Sequence, residues 1–487
     1  MRRLLSILAI LALLAAGARP AASQAAYDVV IANGRVMDPE SRLDAVRFIG
    51  IRGGKVAAIS ETPLSGKSTI DAKGLVVAPG FIDLHAHGQD DENYRVFALD
   101  GVTTALELEV GTSDVPGFYA SREGKALINY GASVGHVRER MDVMRDPSKG
   151  LLPTGPGGHQ VATDEQIAEI KRRIETGLSQ GALGVGMGLQ YTPAASKYEV
   201  LEAFRAAAKY HAPVFVHVRS FAAQDPGSSV ESFMEVIAAS AITGAPVHIV
   251  HLNSMSLSST PKTLAIVKDA RAHGLDVTTE AYPYIAGMTE IGSALLDQYA
   301  NGPDSNFSKI MLVSTGERLT RATFNAARPS NGSVILFLNT PEMEAMAMTS
   351  PLTAVASDGL LDHGKGHPRT AGTEARTLAY YVRETKQLTM MEALRKMTLM
   401  PAQRLEKLAP AFRNKGRIKV GADADITVFD PATVADKSTY EKPALTSVGF
   451  RYVLVNGVPV VSNGVVRDGT FPGRGVKGTV AAHGPSN

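Results

Sequence analysis

The stretch Val77-Ala78-Pro79-Gly80-Phe81-Ile82-Asp83-Leu84-His85-Ala86-His87 holds the reading of this chain. An apolar run passes a Pro-Gly turn and ends in His-x-His. On a strand, residues two apart point to the same side. His85 and His87 at a strand's end therefore form half of a metal site. A single histidine in an apolar run is ordinarily a core residue. Two at this spacing, with further histidines at the ends of later runs, call for another explanation.

Those later runs are Val214-Phe215-Val216-His217-Val218-Arg219 and Val247-His248-Ile249-Val250-His251-Leu252. His248 and His251 are three apart and do not share a strand face. His251, at the end of its run, is the better ligand, and His248 reads as structural. Thr353-Ala354-Val355-Ala356-Ser357-Asp358-Gly359 sets a carboxylate at another strand end. Asp-Gly is also a common turn pair; beside four histidines, Asp358 reads as a metal-bound acid/base. Two metals need a bridging anion, and Glu107 and Glu109 stand two apart in Thr103–Gly111. Buried carboxylates are costly unless a cation or donor compensates them. Glu109, nearer the strand end, is favoured over Glu107; the alternative is a salt bridge to a neighbouring Arg or Lys.

Around these runs, apolar strand-like segments alternate with helical ones. Ala182–Leu189, Val214–Val218 and Val247–Leu252 read as buried strands. Thr163–Ser179 has Ile167, Ile170, Ile174 and Leu178 on one helical face. Leu264–Ala272 reads as helix and Asp276–Ala281 as strand. The alternation predicts an α/β fold, a parallel barrel of TIM type, whose chemistry lies at the C-terminal ends of its strands. The pattern loosens between Ala286 and Ser350, read as an insertion or lid. Both ends of the chain carry short strands and turns. Val29-Val30-Ile31 runs into Asn33-Gly34, a hairpin signal. Gly53-Gly54, Asn456-Gly457 and Asn463-Gly464 follow similar runs. The two ends are expected to build one small β-sandwich. The expected organisation is a signal peptide over 1–23, sandwich over 24–78 and 410–487, and barrel over 79–409 with the insertion at 286–350.

The chain has 487 residues, 44% apolar and 20% charged, with a formal charge of +2. Arg2-Arg3, the apolar Leu4–Ala16 and the small residues Ala21-Ala22-Ser23 read as a secretory leader, with Gln24 the first mature residue. Removing Arg2, Arg3 and Arg19 takes the charge from +2 to −1, which points to neither nucleic acid nor an anionic membrane. The mature protein is expected in the periplasm or outside the cell, with no membrane span. There is no cysteine. Disulfides are excluded, and a metal must be held by histidine and carboxylate, a donor set that suits zinc and, less selectively, other divalent ions.

Together these residues resemble the amidohydrolase superfamily and, within it, the N-acyl-D-amino-acid deacylases. The likeness includes the Asn33-Gly34 opening, Pro79–His87, Gly101-Val102-Thr103-Thr104, Gly188-Leu189-Gln190-Tyr191, His217-Val218-Arg219-Ser220, Ala281-Tyr282-Pro283-Tyr284, Ser357-Asp358-Gly359 and His367-Pro368-Arg369. The resemblance implies a distorted (β/α)8 barrel with a β-sandwich, binding one or two zinc ions. His85, His87 and Asp358 would hold the first ion, His217 and His251 the second. The family bridges with a cysteine where this chain has Val110, so Glu109 is the substitute. Branches bridging with a lysine on a later strand find none in Ala182–Leu189. The family's substrate-binding lysine and serine are replaced by Asn253 and Met288. Tyr191, Arg219, Asn253, Tyr282 and Arg369 remain as substrate-binding candidates; either arginine could instead be a structural ion-pair partner.

The function implied is hydrolysis of a linear amide in a small molecule, an N-acyl (D-)amino acid or related compound. Metal-activated hydroxide would attack, with Asp358 as general base and then general acid. Cyclic-amide or dipeptide hydrolysis, in the style of dihydroorotase, hydantoinase or isoaspartyl dipeptidase, is the enzymatic alternative. A metal-binding relic of the fold is the non-enzymatic one.

Overall fold

The computed structural model describes residues 26–300 and 302–479. The leader expected over 1–23 and the start at Gln24 lie outside the described residues. Eight parallel strands form the barrel in sequence order: Phe81–Asp83, Val102–Thr112, Asn129–Gly135, Val185–Gly188, Val214–His217, Val247–Ile249, Val277–Ala281 and Thr353–Val355. They are buried on both faces, as strands walled by helices must be. Helix Asp164–Ser179 buries the predicted Ile167, Ile170, Ile174 and Leu178, and Thr163 with Gln166 closes a capping box at its start.

The first and last strands meet beyond their ends, at the mouth. His87 and Gly88 donate backbone N–H groups to Gly359 O at 2.9 and 3.0 Å. Asp83 accepts backbone N–H groups from His85 and Ser357 at 2.9 and 3.1 Å, and the Ser357 hydroxyl as well. The barrel is therefore closed by the residues that flank the histidine pair.

A second sheet of nine strands joins the two ends of the chain. Val76–Pro79 lies between Tyr27–Asp38 and Ile426–Phe429. Val29, Ile31, Ile49 and Val77 share one core with Ile418, Ile426, Val428 and Leu454, so the sheet folds over an interior supplied by both ends. Gly53-Gly54, Asn456-Gly457 and Asn463-Gly464 are hairpin turns. Asn33-Gly34 corrects the expectation. Strand Tyr27–Asp38 continues straight through it, with a bulge between Ile31 and Gly34 and Asn33 at φ 62°. A left-handed residue serves a bulge as well as a turn, and here the chain turns further on, at Pro39–Arg42. The last described residues leave this sheet for the barrel, where Tyr130 donates its backbone N–H to Arg474 O at 3.1 Å and accepts that of Val476 at 2.8 Å.

The insertion is a folded cover. Ala286–Glu290, Ile310–Leu312 and Ser333–Phe337 make an antiparallel three-stranded sheet. Its core, including Ile291, Leu295, Phe307 and Phe324, is continuous with Val110 and Tyr191 at the mouth.

Candidate metal centre

Seven of the eight strands deliver polar side chains to one end of the barrel. Most follow from strand-end placement alone. Glu109 needs more. Strand Val102–Thr112 pairs Glu107 with Ala132 but Thr112 with Val134, so six residues face three. The excess is a bulge over 108–111, and it carries Glu109. The Glu107 carboxylate accepts the freed N–H groups of Val110 and Gly111 at 3.1 and 3.2 Å. Two glycines let the bulge sit down. A Cβ on Gly135 would stand 2.0 Å from Val110 O, and one on Gly186 2.3 Å from Glu109 O.

Four donor atoms converge around one point. Nε2 of His85 and of His87 are 3.2 Å apart, and each is 3.1 Å from Glu109 Oε2. Asp358 Oδ1 is 3.4 Å from the first ring nitrogen and 3.2 Å from the second. A tetrahedral zinc with ligands at about 2.0 Å has donor–donor edges of about 3.3 Å. The other oxygen of Glu109, Oε1, is 2.7 Å from His217 Nδ1 and 3.4 Å from His251 Nε2. Glu109 thus turns one oxygen to each group of ligands, as a bridge does.

The tautomers make the fit specific. His85 Nδ1 is 2.6 Å from Glu280 Oε1, and His87 Nδ1 is 2.7 Å from Glu107 Oε2. Each carboxylate can accept a ring N–H, and in that tautomer both Nε2 lone pairs would turn toward the place a bound cation would take. His217 works in reverse: Nε2 donates to Gln190 Oε1 at 2.9 Å and frees Nδ1 for Glu109's side. Such partners fix ring orientation and ligand basicity in metal sites. His251 and Asp358 both have positive φ, 33° and 53°, a strained conformation for non-glycine residues that clusters at functional sites.

Electrostatics follow from burial among opposed charges. Burial pushes Glu109 up, but His85 and its ring neighbours outweigh it and hold the carboxyl well below its usual range. Asp358 is lowered in the same way, burial being overcome by Arg369 and His85. Burial presses His217 down to about 4. For Glu280, burial is again outweighed, by His85 and His248, and the carboxyl falls to about 2. Tyr191 and Tyr282 are raised by burial, Tyr282 to about 12, so both phenols stay protonated donors.

A cleft opens on the His217–His251 side, walled by Tyr191, Tyr282, Asn253, Met288 and Asp358. A second hollow on the other side meets His87, Glu109, Asp358 and Arg369. Arg369 is buried with Nη1 2.8 Å from Asp358 Oδ2, and its guanidinium lies 4.6 Å above the Tyr282 ring. Arg219 is a correction. It forks onto Glu235 at 2.7 and 3.0 Å and onto Pro193 O, and does not line either hollow. The guanidinium reaches from the strand end to the half-buried Glu235 on helix Ser229–Thr243, which satisfies it away from the mouth. His248 is structural, holding Glu280 and Thr278 at 3.0 and 2.7 Å. Among the described residues Glu107 pairs with no Arg or Lys; it orients His87. The residues that sequence reasoning missed are Glu280, Gln190 and Asp83. Glu280 stands two before Tyr282 on a strand end, the same cue that picked out Glu109.

Comparison with known proteins agrees with this geometry. The N-acyl-D-glutamate deacylase of Alcaligenes xylosoxydans xylosoxydans is 31% identical over 484 residues, covering 90% of this chain and 94% of that protein. The D-aminoacylase of the same organism is 28% identical over 482 residues, covering 89% and 94%. The crystal structure of N-acyl-D-glutamate deacylase from Bordetella bronchiseptica, complexed with zinc and a phosphonate inhibitor, superposes with a TM-score of 0.79 at 26% identity, over 93% of this chain and 99% of that one. A model of the amidohydrolase family matches residues 68–461, and the chain belongs to that family of metal-dependent hydrolases.

Proposed function

We propose that the protein hydrolyses the amide bond of a linear N-acyl compound, an N-acyl (D-)amino acid or close derivative, with zinc in the centre. The carrying observation is the two-sided Glu109, with Asp358 beside it on the wall of the cleft. His85, His87, Asp358 and Glu109 would hold one ion, and Glu109, His217 and His251 a second. A divalent ion bound there supplies an activated water and polarises the substrate carbonyl.

The chain's own groups do the rest. Asp358 takes a proton from the attacking water and returns one to the leaving nitrogen. Arg369 fixes its second oxygen, so the first keeps one orientation through both transfers. Tyr191 and Tyr282, protonated and rigidly buried, offer donors to the oxygen on which charge develops. The cover over 286–350 excludes bulk water, which strengthens each of these interactions. The N-terminal stretch, read as a secretory leader, would carry the enzyme to the periplasm or beyond; mature protein starting at Gln24 is the expected product of N-terminal sequencing.

The test is turnover of N-acyl-D-amino acids, their L forms, their amides, dipeptides and cyclic imides by purified protein, before chelation, after it and after zinc is restored. Hydrolysis of a linear N-acyl compound that chelation removes and zinc restores is the expected result. A fully metallated protein that hydrolyses none of them would overturn the proposal.

A further inference from the structure

Strand Ala286–Glu290, the first of the insertion, crosses the mouth of the barrel. Met288 and Thr289 line both the cleft and the hollow that holds Arg369. Glu290 lines that hollow on one side and an outer bowl, with Lys149 and Arg328, on the other. Leu151 and Leu152, from the loop that follows helix His136–Val143, wall the same hollow together with His87, Asp358 and Arg369.

That loop is held from two bodies. Arg138, on the barrel helix, donates Nη1 to Gly150 O at 2.8 Å and to Leu151 O at 3.4 Å. Glu290, on the insertion, takes the N–H side of the loop. Its Oε1 accepts Leu151 N–H at 2.8 Å, and its Oε2 accepts Leu152 N–H at 3.3 Å and Asn331 Nδ2 at 2.9 Å. Asn331 is itself fixed, because its Oδ1 accepts Gly292 N–H at 3.0 Å. Bonds to a carboxylate are roughly twice as strong as those between neutral groups. A side chain with both oxygens on amide donors of two separate segments is a strap between them. Two glycines are cut to its fit. A Cβ on Gly150 would lie 2.7 Å from both Glu290 oxygens, and one on Gly292 would lie 2.4 Å from Asn331 Oδ1. Neither glycine has positive φ, so a side chain there would lack space and nothing else.

We propose that Glu290 is a positioning residue for substrate binding. Through the loop it straps down, it sets how far Leu151 and Leu152 stand from Asp358 and Arg369, and so the width of the hollow that a substrate spanning the centre must enter. The inference rests on the function proposed above and adds to it a residue that acts through others. Glu290 belongs to neither ligand group, so its loss should weaken the hold on substrate and transition state alike. Loss of such uniform binding raises KM and leaves kcat.

The experiment uses zinc-loaded protein as wild type, as Glu290→Ala, Glu290→Gln and Gly150→Ala, and as the Gly150→Ala, Glu290→Ala double variant. It reads kcat and KM for the best substrate of the panel above. It also reads the dissociation constant, by calorimetry, of that compound's phosphonamidate analogue (that of N-acetyl-D-leucine if none is turned over). Amide hydrogen exchange over residues 146–155 is the third readout. Glu290→Ala should raise KM and the dissociation constant at least about tenfold, with kcat held within about threefold, and exchange at Leu151 and Leu152 should quicken. Glu290→Gln should fall between, since its remaining oxygen still serves Leu151. In Gly150→Ala the new methyl displaces only the flexible end of Glu290, so all three readouts should move the same way. The double variant should be no worse than Glu290→Ala, because residues acting through one contact are not additive. Unchanged KM and dissociation constant in the single variants, a loss of kcat as large as that of kcat/KM, or additive effects would overturn the inference. If Glu290→Ala fails to fold, Gly150→Ala decides by the same readouts. Weakened analogue binding in a protein that hydrolyses nothing in the panel supports the inference and overturns the function on which it was built. A wild type that neither turns over the panel nor binds the analogue overturns both.

Discussion

One oxygen of Glu280 stands 2.6 Å from Nδ1 of His85, and its other oxygen receives Nε2 of His248 at 3.0 Å. A single buried carboxylate therefore aims the first metal-facing ring from behind. Glu280→Gln keeps the shape but presents an NH2 to one of the two rings, and that ring must turn or change tautomer. Metal affinity should fall about 10–100-fold, read by competition with a chelator of known strength. Unchanged affinity would remove Glu280 from the support of the site.

Glu109→Ala takes away both oxygens that face the two ligand groups. Metal analysis should find fewer equivalents per chain than in the wild type. Activity should fall by more than the about 100-fold that loss of a supporting partner costs. Full metal content in this variant would show that Glu109 bridges nothing.

Asp358→Asn preserves size and leaves no basic oxygen to accept a proton. We expect kcat to drop about 10²–10⁴-fold, the usual range for a lost general acid/base, with KM changed far less. A variant that turns over at the wild-type rate would reassign the proton transfers.

Lys396, on helix Met390–Met397, is buried and donates to Thr353 O at 2.8 Å and to Ser350 O, tying down the strand that leads to Asp358. Burial pushes its amine down to about 7. A base lowered in the folded state leaves the unfolded chain holding more protons between that value and its ordinary 10.5. Stability should thus rise with pH across that window, by up to about 1.4 kcal/mol per unit from this group. Below pH 7 the contribution is flat. Denaturant titrations from pH 7 to 9 should show the rise, and Lys396→Met should flatten it. Parallel curves for the two proteins would refute the assignment.

Much of the centre was legible because strand ends announce themselves. Histidines closing apolar runs, at 85, 87, 217 and 251, need only the period of a strand and the polarity of a barrel to be brought together. Asp358 was read by the same rule. Choosing Glu109 over Glu107 was harder on paper, since both share a face of an ideal strand. The bulge over 108–111 separates them, and its signs are scattered: Gly111 within it, Gly135 and Gly186 on the strands beside it. Glu280 was passed over because one residue in an unremarkable run does not reveal that two imidazoles will back onto it. Arg219 could not be placed, because its partner Glu235 is on the following helix and a guanidinium reaches in either direction. Asn33-Gly34 misled because a left-handed pair fits a bulge and a turn equally, and only the neighbouring strand decides.

Strand Val76–Pro79 needs Tyr27–Asp38 on one side and Ile426–Phe429 on the other. During synthesis at about 5–20 residues per second, roughly half a minute separates the two neighbours. For that interval the first-made strands present an unfilled edge, the kind of surface that invites wrong partners. The ribosome's order and the sheet's order thus conflict, and a holding chaperone would have its most useful work on this protein before residue 429 emerges.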